Sequence, residues 1–393
     1  MKRIVTAVRV GVYLAACWLT IGVLANDLFP HAVLAVIGLA LYTTLPIAVL
    51  MWWRGWPFYP NAAFRLLVVR PFWYTQLMLP MVGVGATAGV LIGAPFGLAL
   101  TGGRIAAALV LMLVGTVLIA GYLGSRQLVV REVDASIPML ASEFDGLVIA
   151  QVSDLHVGPQ TSRRFLKRIT STIRSHAPDV IAVTGDLVDD RAEDVEAYAL
   201  ALGELDAPLG VFMIPGNHDV YAGWESVEHR LRRDVPARLL LNEAHIIRRG
   251  AATLVVAGTG DPAAGHRGQS RAAPDVERTL AGAPNGATVV VLAHNPALWP
   301  ALAKRGVALT LSGHTHWGQF ALPSLGWSLA SPFMKHAMGA YRENDSLLYI
   351  NPGTGYWGIP FRIGALPEVT LIRLRRAPAA LEMGRARRAR CAA

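Results

Sequence analysis

Residues 180–189 read VIAVTGDLVD. Val180–Thr184 is a short apolar run rich in β-branched residues that stops at a glycine and a carboxylate, the pattern of a strand delivering Asp186 at its end. The pattern recurs on both sides. Apolar runs near Gly146–Val152, Gly210–Ile214, Thr253–Ala257, Thr288–Leu292, Ala308–Leu311, Leu347–Ile350 and Val369–Leu374 read as further strands. Ser162–Ser175, Ala192–Leu202, Trp224–Arg232 and Pro296–Lys304 read as helices between them. Short apolar runs separated by polar helical stretches from Val129 onward predict an α/β domain, a class that places its chemistry just past strand ends.

Four more polar clusters follow such runs: Asp154-Leu155-His156, Gly216-Asn217-His218-Asp219, His294 after Val289–Ala293, and Gly313-His314-Thr315-His316. Five of the eleven histidines fall in these stretches and no cysteine does. Carboxylate, amide and imidazole donors suit a divalent ion such as Mn, Fe or Zn, and their number exceeds what one ion needs, so two divalent metal ions are expected. Asp-x-His and His-x-His place alternate residues of an extended segment on one side. Gly185, Gly216 and Gly313 adjoin the donors, where the backbone turns sharply or a phosphate approaches. Each cluster alone has a plainer explanation: Asp154 as a helix cap, Asp189 and Asp190 as a solvated turn, His294 as a packed histidine. Their repetition after successive strands favours a shared centre.

The order Asp-x-His, Gly-Asp-x-x-Asp, Gly-Asn-His-Asp, His, Gly-His-x-His resembles the motif series of the calcineurin-like metallophosphoesterase superfamily, over roughly residues 146–374. The chain is similar to the bacterial YkuE/YaeI-type membrane-associated branch in LSGHTHWGQ (311–319), NPGTG (351–355), Arg362 and PEVT (367–370). The resemblance implies a four-layer α/β/β/α sandwich with a two-metal site at the strand ends. Asp154, His156, Asp186 and His316 would hold one metal and Asp186, Asn217, His294 and His314 the other, with Asp186 bridging and a hydroxide between the ions as nucleophile. His218 would donate to the phosphate or leaving oxygen, and Asp219 would orient its imidazole or else cap the following helix. Residues 331–341 are a possible flap, with His336 and Tyr341 either touching substrate or packing. Gly355, Tyr356 and Trp357 would form an apolar rim or pack at the sheet edge.

Composition marks off a second region. The chain is 53% hydrophobic and 16% charged, with a mean hydropathy of +0.40, too apolar for a wholly soluble protein. Uncharged runs of 17, 26, 33 and 21 residues lie between Arg9, Asp27, Arg54, and then Arg70, Arg104 and Arg126, which predicts four membrane spans. The third run holds Pro80 and Pro95 and is expected to be a kinked helix with a loop-like end near Gly102-Gly103. Trp52, Trp53, Trp56, Phe58, Tyr59, Phe72, Trp73 and Tyr74 crowd one connection, where an aromatic belt belongs. A cleaved signal peptide is the alternative for the first run, but Ala25–Pro30 is a poor cleavage site. Three bases at the amino terminus and three from Arg54 to Arg70 place both termini, and the catalytic domain, on the cytoplasmic side of the inner (cell) membrane.

Charge is divided equally sharply. Seven bases face only Asp27 before Arg126, and seven arginines face only Glu382 from Arg373 onward. With +9 overall, the middle of the chain is net negative, which removes the main support for a nucleic acid partner. Cys17 and Cys391 allow neither a disulfide framework nor a thiolate metal site. The near absence of ionisable groups within the spans argues against a transporter. The expected organisation is a transmembrane region of about four helices (1–125), a linker leading into the domain (126–145), a metallophosphoesterase domain (146–375) and a basic tail (376–393) that is either solvated or touches anionic lipid. The expected partners are the lipid bilayer and a phosphoester substrate. The expected function is hydrolysis of a phosphate ester or pyrophosphate, of a lipid or a membrane-surface substrate, by an anchored enzyme. The alternatives are a tethered phosphatase or phosphodiesterase for a soluble substrate and a non-enzymatic metal-binding membrane sensor.

Overall fold

Long runs without a polar face make the helices of the amino-terminal unit. They are α1 (Lys2–Ala25), α2 (Ala32–Arg54), a run that opens as Ala62–Phe64, passes a π turn at Arg65–Val69 and continues as α3 (Arg70–Gly93), and α4 (Ala99–Gly124). The computed structural model describes residues 2–26, 31–54 and 61–377. The chain divides into two units, Met1–Ala120 and Gly121–Ala393, so the last turn of α4 belongs to the second. Ala62–Phe96 and Ala99–Gly124 are long and apolar enough to cross a membrane, with mean hydropathies of 1.9 and 2.4. Asp27, Trp56, Phe58, Tyr59 and the tail beyond Ala377 lie outside the described residues.

The third uncharged run breaks at Ala94–Phe96 rather than at Gly102-Gly103. Pro95 interrupts the helical hydrogen bonds, and Gly97 takes the left-handed conformation at φ 72° that closes the turn. Gly102 lies inside α4 against Gly89 of α3. A Cβ on either would sit 2.3 or 2.4 Å from the other's carbonyl oxygen, so the glycine pair lets two backbones touch. Arg104 donates to the carbonyls of Leu24 (2.9 Å) and Asn26 (2.6 Å), satisfying acceptors left open where α1 ends.

The second unit carries β1 (Val129–Pro138), β2 (Val148–Val152), β3 (Val180–Thr184), β4 (Val211–Ile214), β5 (Arg238–Leu239), β6 (Glu243–Arg249) and β7 (Ala252–Gly258). These are followed by β8 (Thr288–Leu292), β9 (Leu309–Ser312), β10 (Ala321–Leu322), β11 (Trp327–Ser328), β12 (Gly339–Glu343), β13 (Ser346–Ile350) and β14 (Glu368–Ala377). One sheet has the order β1-β14-β2-β3-β4-β5, the other β12-β13-β9-β8-β7-β6, and β10-β11 is a separate hairpin. Both sheets are mixed. Strands β2 to β5 are parallel and β14 runs against β2; β7, β8, β9 and β13 are parallel and β6 and β12 run against their neighbours. Residues 126–145 contain β1, paired in parallel with β14 along its length.

The strand period of two builds the layers. Ile149, Val180 and Ala182 face the space between the sheets and meet Leu254, Val256, Val290 and Leu292. Ala150, Val152, Ile181 and Val183 face outward against Leu166, Ile169 and Ile173 of α5 (Arg163–Ser175), Tyr198 and Leu202 of α6 (Val195–Leu202), and later helical residues Trp224, Val227 and Leu231. Beyond the second sheet Val255, Ala257 and Val291 pack with Leu298 and Leu302. The order is helix, sheet, sheet, helix, with parallel strands of both sheets ending on one side.

Candidate metal centre

The five clusters converge at those strand ends. Asp154 and His156 follow β2, Asp186 follows β3, Asn217 opens α7 (Asn217–Tyr221) after β4, His294 follows β8, and His314 and His316 follow β9. Five of these side chains hang from left-handed backbone: Asp154 (φ 52°), His156 (45°), Asp186 (50°), His314 (70°) and His316 (49°). Non-glycine residues rarely take this conformation, and such strain gathers at functional sites. Two glycines leave room for the donors. A Cβ on Gly313 would fall 2.0 Å from Ser153 Oγ and 2.1 Å from Asp154 Oδ2, and one on Gly216 would fall 2.3 Å from both the amide nitrogen and Oδ1 of Asp186.

The facing atoms are lone-pair donors. His156 Nε2 lies 3.0 Å from His316 Nε2 and 3.5 Å from Asp186 Oδ2, and His316 Nε2 lies 3.2 Å from Asp154 Oδ1. Asp154, His156, Asp186 and His316 each offer an atom within 4.8 Å of the others, and all four are buried. On the other side of Asp186, its Oδ2 is 3.3 Å from His294 Nε2, which is 3.2 Å from Asn217 Oδ1, while His314 Nδ1 is 2.6 Å from that same oxygen. His294 Nδ1 donates to the Thr184 carbonyl at 2.8 Å, which leaves a lone pair on Nε2 when the ring is neutral. A hydrogen bond of this kind on the far ring nitrogen sets the tautomer of a metal-binding histidine. Oxygen and nitrogen acceptors that converge in a buried space fit divalent cations.

Without metal, the carboxylates draw protons onto the ring beside them. Burial opposes charge on His294, yet Asp186, Asp154 and Asp261 hold its pKa well above the ordinary imidazole range. Burial likewise opposes the Asp186 carboxylate, but His294, His218 and His156 hold it well below the usual carboxylate range. His314 is pushed down to about 4 by burial and then by His294. Burial, Arg362 and His156 hold His316 well below the imidazole range. The cluster attracts positive charge at Asp186 while keeping His314 and His316 in the neutral form that binds metal.

His218 and Asp219 part company. The His218 ring lies 4.6 Å from that of His156, its backbone N–H donates to Asp186 Oδ1 at 2.7 Å, and its Nδ1 pairs with the Asp189 carbonyl at 2.7 Å. Asp219 does not orient that ring, contrary to the first expectation. Its buried carboxylate accepts from the backbone N–H groups of Gly216 (2.8 Å), Leu187 (3.0 Å) and Val188 (3.0 Å), tying the loop of Asp186 to the start of α7. The physical reason is position: Asp219 is the third residue of α7, where its side chain reaches back to the helix cap. The His336 ring packs edge-to-face and the Tyr341 ring at a tilt against Trp299, at centroid distances of 5.0 and 6.4 Å, which is the packing alternative. Trp357 is 54% exposed, with its ring 6.2 Å from His218.

Three further residues bear on the site. Asp189 Oδ1 lies 3.5 Å from His156 Nδ1; it was visible as the second carboxylate of Gly-Asp-x-x-Asp. Asp261 is 1% exposed and follows β7 as Gly260-Asp261, the same punctuation as Gly185-Asp186. Arg362 is completely buried and donates to His316 Nδ1 at 2.9 Å and to the His316 carbonyl at 3.1 Å. Burial lowers its pKa to about 9. An isolated arginine in a loop carries no local signal of such a role.

Fold and donor arrangement are those of the metallophosphoesterase class. The calcineurin-like phosphoesterase family matches residues 147–318. YkuE of Bacillus subtilis, an uncharacterised metallophosphoesterase, is 30% identical over 260 residues, covering 65% of this chain and 88% of its own. The chain belongs to the calcineurin-like phosphoesterase family. A transmembrane protein with metallophosphoesterase domain from Danio rerio is 36% identical over 259 residues, covering 63% of this chain; the present chain spans only 58% of that protein's length. The UDP-2,3-diacylglucosamine pyrophosphatase LpxG of Chlamydia trachomatis is 27% identical over 315 residues, covering 65% of this chain and 91% of its own.

Proposed function

We propose that the chain is a membrane-anchored hydrolase of phosphate esters or pyrophosphates that works with two divalent cations. Asp154, His156, Asp186 and His316 would hold one ion, and Asp186, Asn217, His294 and His314 the other. Such ions supply an activated water and neutralise phosphoryl oxygens. The observation that carries this reading is the convergence of six acceptor side chains on Asp186, five of the seven on left-handed backbone. With Nδ1 of His218 held by the Asp189 carbonyl, Nε2 is the nitrogen left to donate to the substrate. Proton delivery to the leaving oxygen is its role, and the carbonyl stabilises the Nδ1–H that the charged ring requires. Asp219 acts at one remove, by holding the Asp186 loop.

The apolar helices and the name of the Chlamydia relative favour a lipid or membrane-surface substrate over a freely diffusing one. Four uncharged runs and the distribution of bases favour four spans with the catalytic unit in the cytoplasm. A reporter active only after export, fused behind Leu374, then stays silent; its activity would reverse the orientation. The enzymatic reading is tested on the full chain in detergent, stripped of metal and supplied with Mn, Fe or Zn ions, against aryl phosphate monoesters, diesters and pyrophosphates. Hydrolysis that needs metal and saturates near two ions per chain is expected. Two bound ions with no hydrolysis of any of these would point to the sensor instead.

A further inference from the structure

The hairpin β10-β11 and the loop after it expose large apolar side chains beside the site. Leu325 is 70% exposed, Phe333 86%, Leu329 48%, Leu322 41% and Trp327 37%. From Gly306 to Met334 the chain has no Asp, Glu, Lys or Arg, and Lys335 follows. Single exposed apolar residues need no explanation, but a charge-free protruding group of them marks an interaction surface.

Two connections identify what covers it. At one end the hairpin is tied to the site: Gln319 and Trp357 exchange hydrogen bonds of 3.0 Å each, and the Trp357 ring is the one beside His218. Through the same residues it is also tied to the last turn of the apolar helix α4. The N–H of Ala321 donates to the Ile363 carbonyl at 2.8 Å, that of Ile363 to the Gln319 carbonyl at 3.0 Å, and that of the adjacent Arg362 to the Gly121 carbonyl at 2.8 Å. The segment that receives the end of a membrane-length helix thus also carries the hairpin.

We propose that the hairpin is a membrane-docking element: Leu322, Leu325, Leu329 and Phe333 enter the bilayer interface, Trp327 and Trp357 sit at head-group level, and Lys335 meets lipid phosphate. Aromatic residues and an apolar face flanked by a base are the composition of interfacial segments. The mouth of the metal centre then opens at the lipid surface, and the substrate is a phosphoester or pyrophosphate whose apolar part stays in the bilayer. The inference rests on the anchored reading above.

The test uses the full chain with Cys17→Ser and Cys391→Ser and one added cysteine at a time: Leu325→Cys, Phe333→Cys, Leu200→Cys on the exposed side of α6, and Leu113→Cys in α4. Each carries an environment-sensitive fluorophore in nanodiscs of phosphatidylethanolamine and phosphatidylglycerol containing nitroxide lipid. Labels at 325 and 333 should lose most of their fluorescence to the nitroxide lipid and resist aqueous iodide, while the label at 200 does the reverse. Iodide quenching at 325 and 333 equal to that at 200 would overturn the inference. Shielding from both quenchers would overturn it too, because a protein would then cover the patch. Quenching by lipid at 113 separates the two failures: if 113 is quenched and 325 is not, docking fails and the anchor stands; if 113 is not quenched, the anchor itself fails. Metal-dependent aryl phosphate hydrolysis in the same samples reports on the enzymatic reading independently of either.

Discussion

Asp186→Asn removes one negative charge and almost no volume from the middle of the site. In the wild type Oδ1 accepts the His218 N–H at 2.7 Å, and Oδ2 lies 3.3 Å from His294 Nε2 and 3.5 Å from His156 Nε2. The amide keeps an acceptor for His218 and turns its NH2 toward the two ring nitrogens, which accept when neutral. Without metal, His294 escapes an unpaired buried charge by releasing its proton, so the fold loses only about 1–2 kcal/mol. Bound cations have no such escape. Removing one partner of a buried charge pair costs about 3–5 kcal/mol, which is roughly 10²–10⁴-fold in metal affinity. Thermal unfolding with and without metal separates the two effects, because a ligand raises stability in proportion to the logarithm of its concentration over Kd. The variant should unfold near the wild-type midpoint in chelator and gain little when metal is added. A gain equal to that of the wild type would refute the bridging role of Asp186.

His218→Ala should retain both metals and slow turnover by about 10²–10⁴-fold, with good leaving groups affected least; equal losses on good and poor leaving groups would refute proton donation, and loss of metal would make His218 a ligand. Gly313→Ala places a Cβ 2.0 Å from Ser153 Oγ and 2.1 Å from Asp154 Oδ2, so it should destabilise the chain by about 1–3 kcal/mol and weaken metal binding in calorimetry. Ser153→Ala in the same chain should restore part of the stability but not the metal affinity. Tyr349 donates to Glu368 Oε1 at 2.6 Å, and burial followed by the Glu368 charge holds its pKa well above 10.0. Above that pH the unfolded tyrosine ionises while the folded one keeps its proton, so wild-type stability falls as pH rises beyond 10. Tyr349→Phe should cost about 1–2 kcal/mol near neutrality and show a shallower alkaline decline in unfolding midpoint, and an unchanged slope would contradict the buried phenol.

Central strands were the most legible part of the fold, because β2, β3, β4, β8 and β9 are buried on both faces and read as unbroken apolar runs. Edge strands were not. Arg131, Glu132 and Asp134 interrupt β1, and Glu243, Arg248 and Arg249 put charge on both faces of β6, so both look like connections. The donor clusters were legible as types and order because each closes an apolar run. Which atoms meet was not, since the approach of His156 to His316 spans 160 residues of separation and depends on left-handed turns at both. Asp219 carries two readings in the sequence for a related reason: adjacency to His218 suggests contact, whereas consecutive residues on a short helix point in different directions, and its bonds to Gly216, Leu187 and Val188 follow the capping reading. Gly102 and Gly103 looked like a loop, while the break lies at Pro95 and Gly97, because glycine in an apolar helix also serves close contact.

The central claim, that the strand-end clusters hold two cations across Asp186, is tested most directly by anomalous diffraction from crystals of the full chain grown with manganese. Two anomalous peaks about 3.5–4 Å apart are predicted, one among Asp154, His156, Asp186 and His316 and the other among Asp186, Asn217, His294 and His314. A single peak at Asp186, or peaks held by other residues, would contradict it.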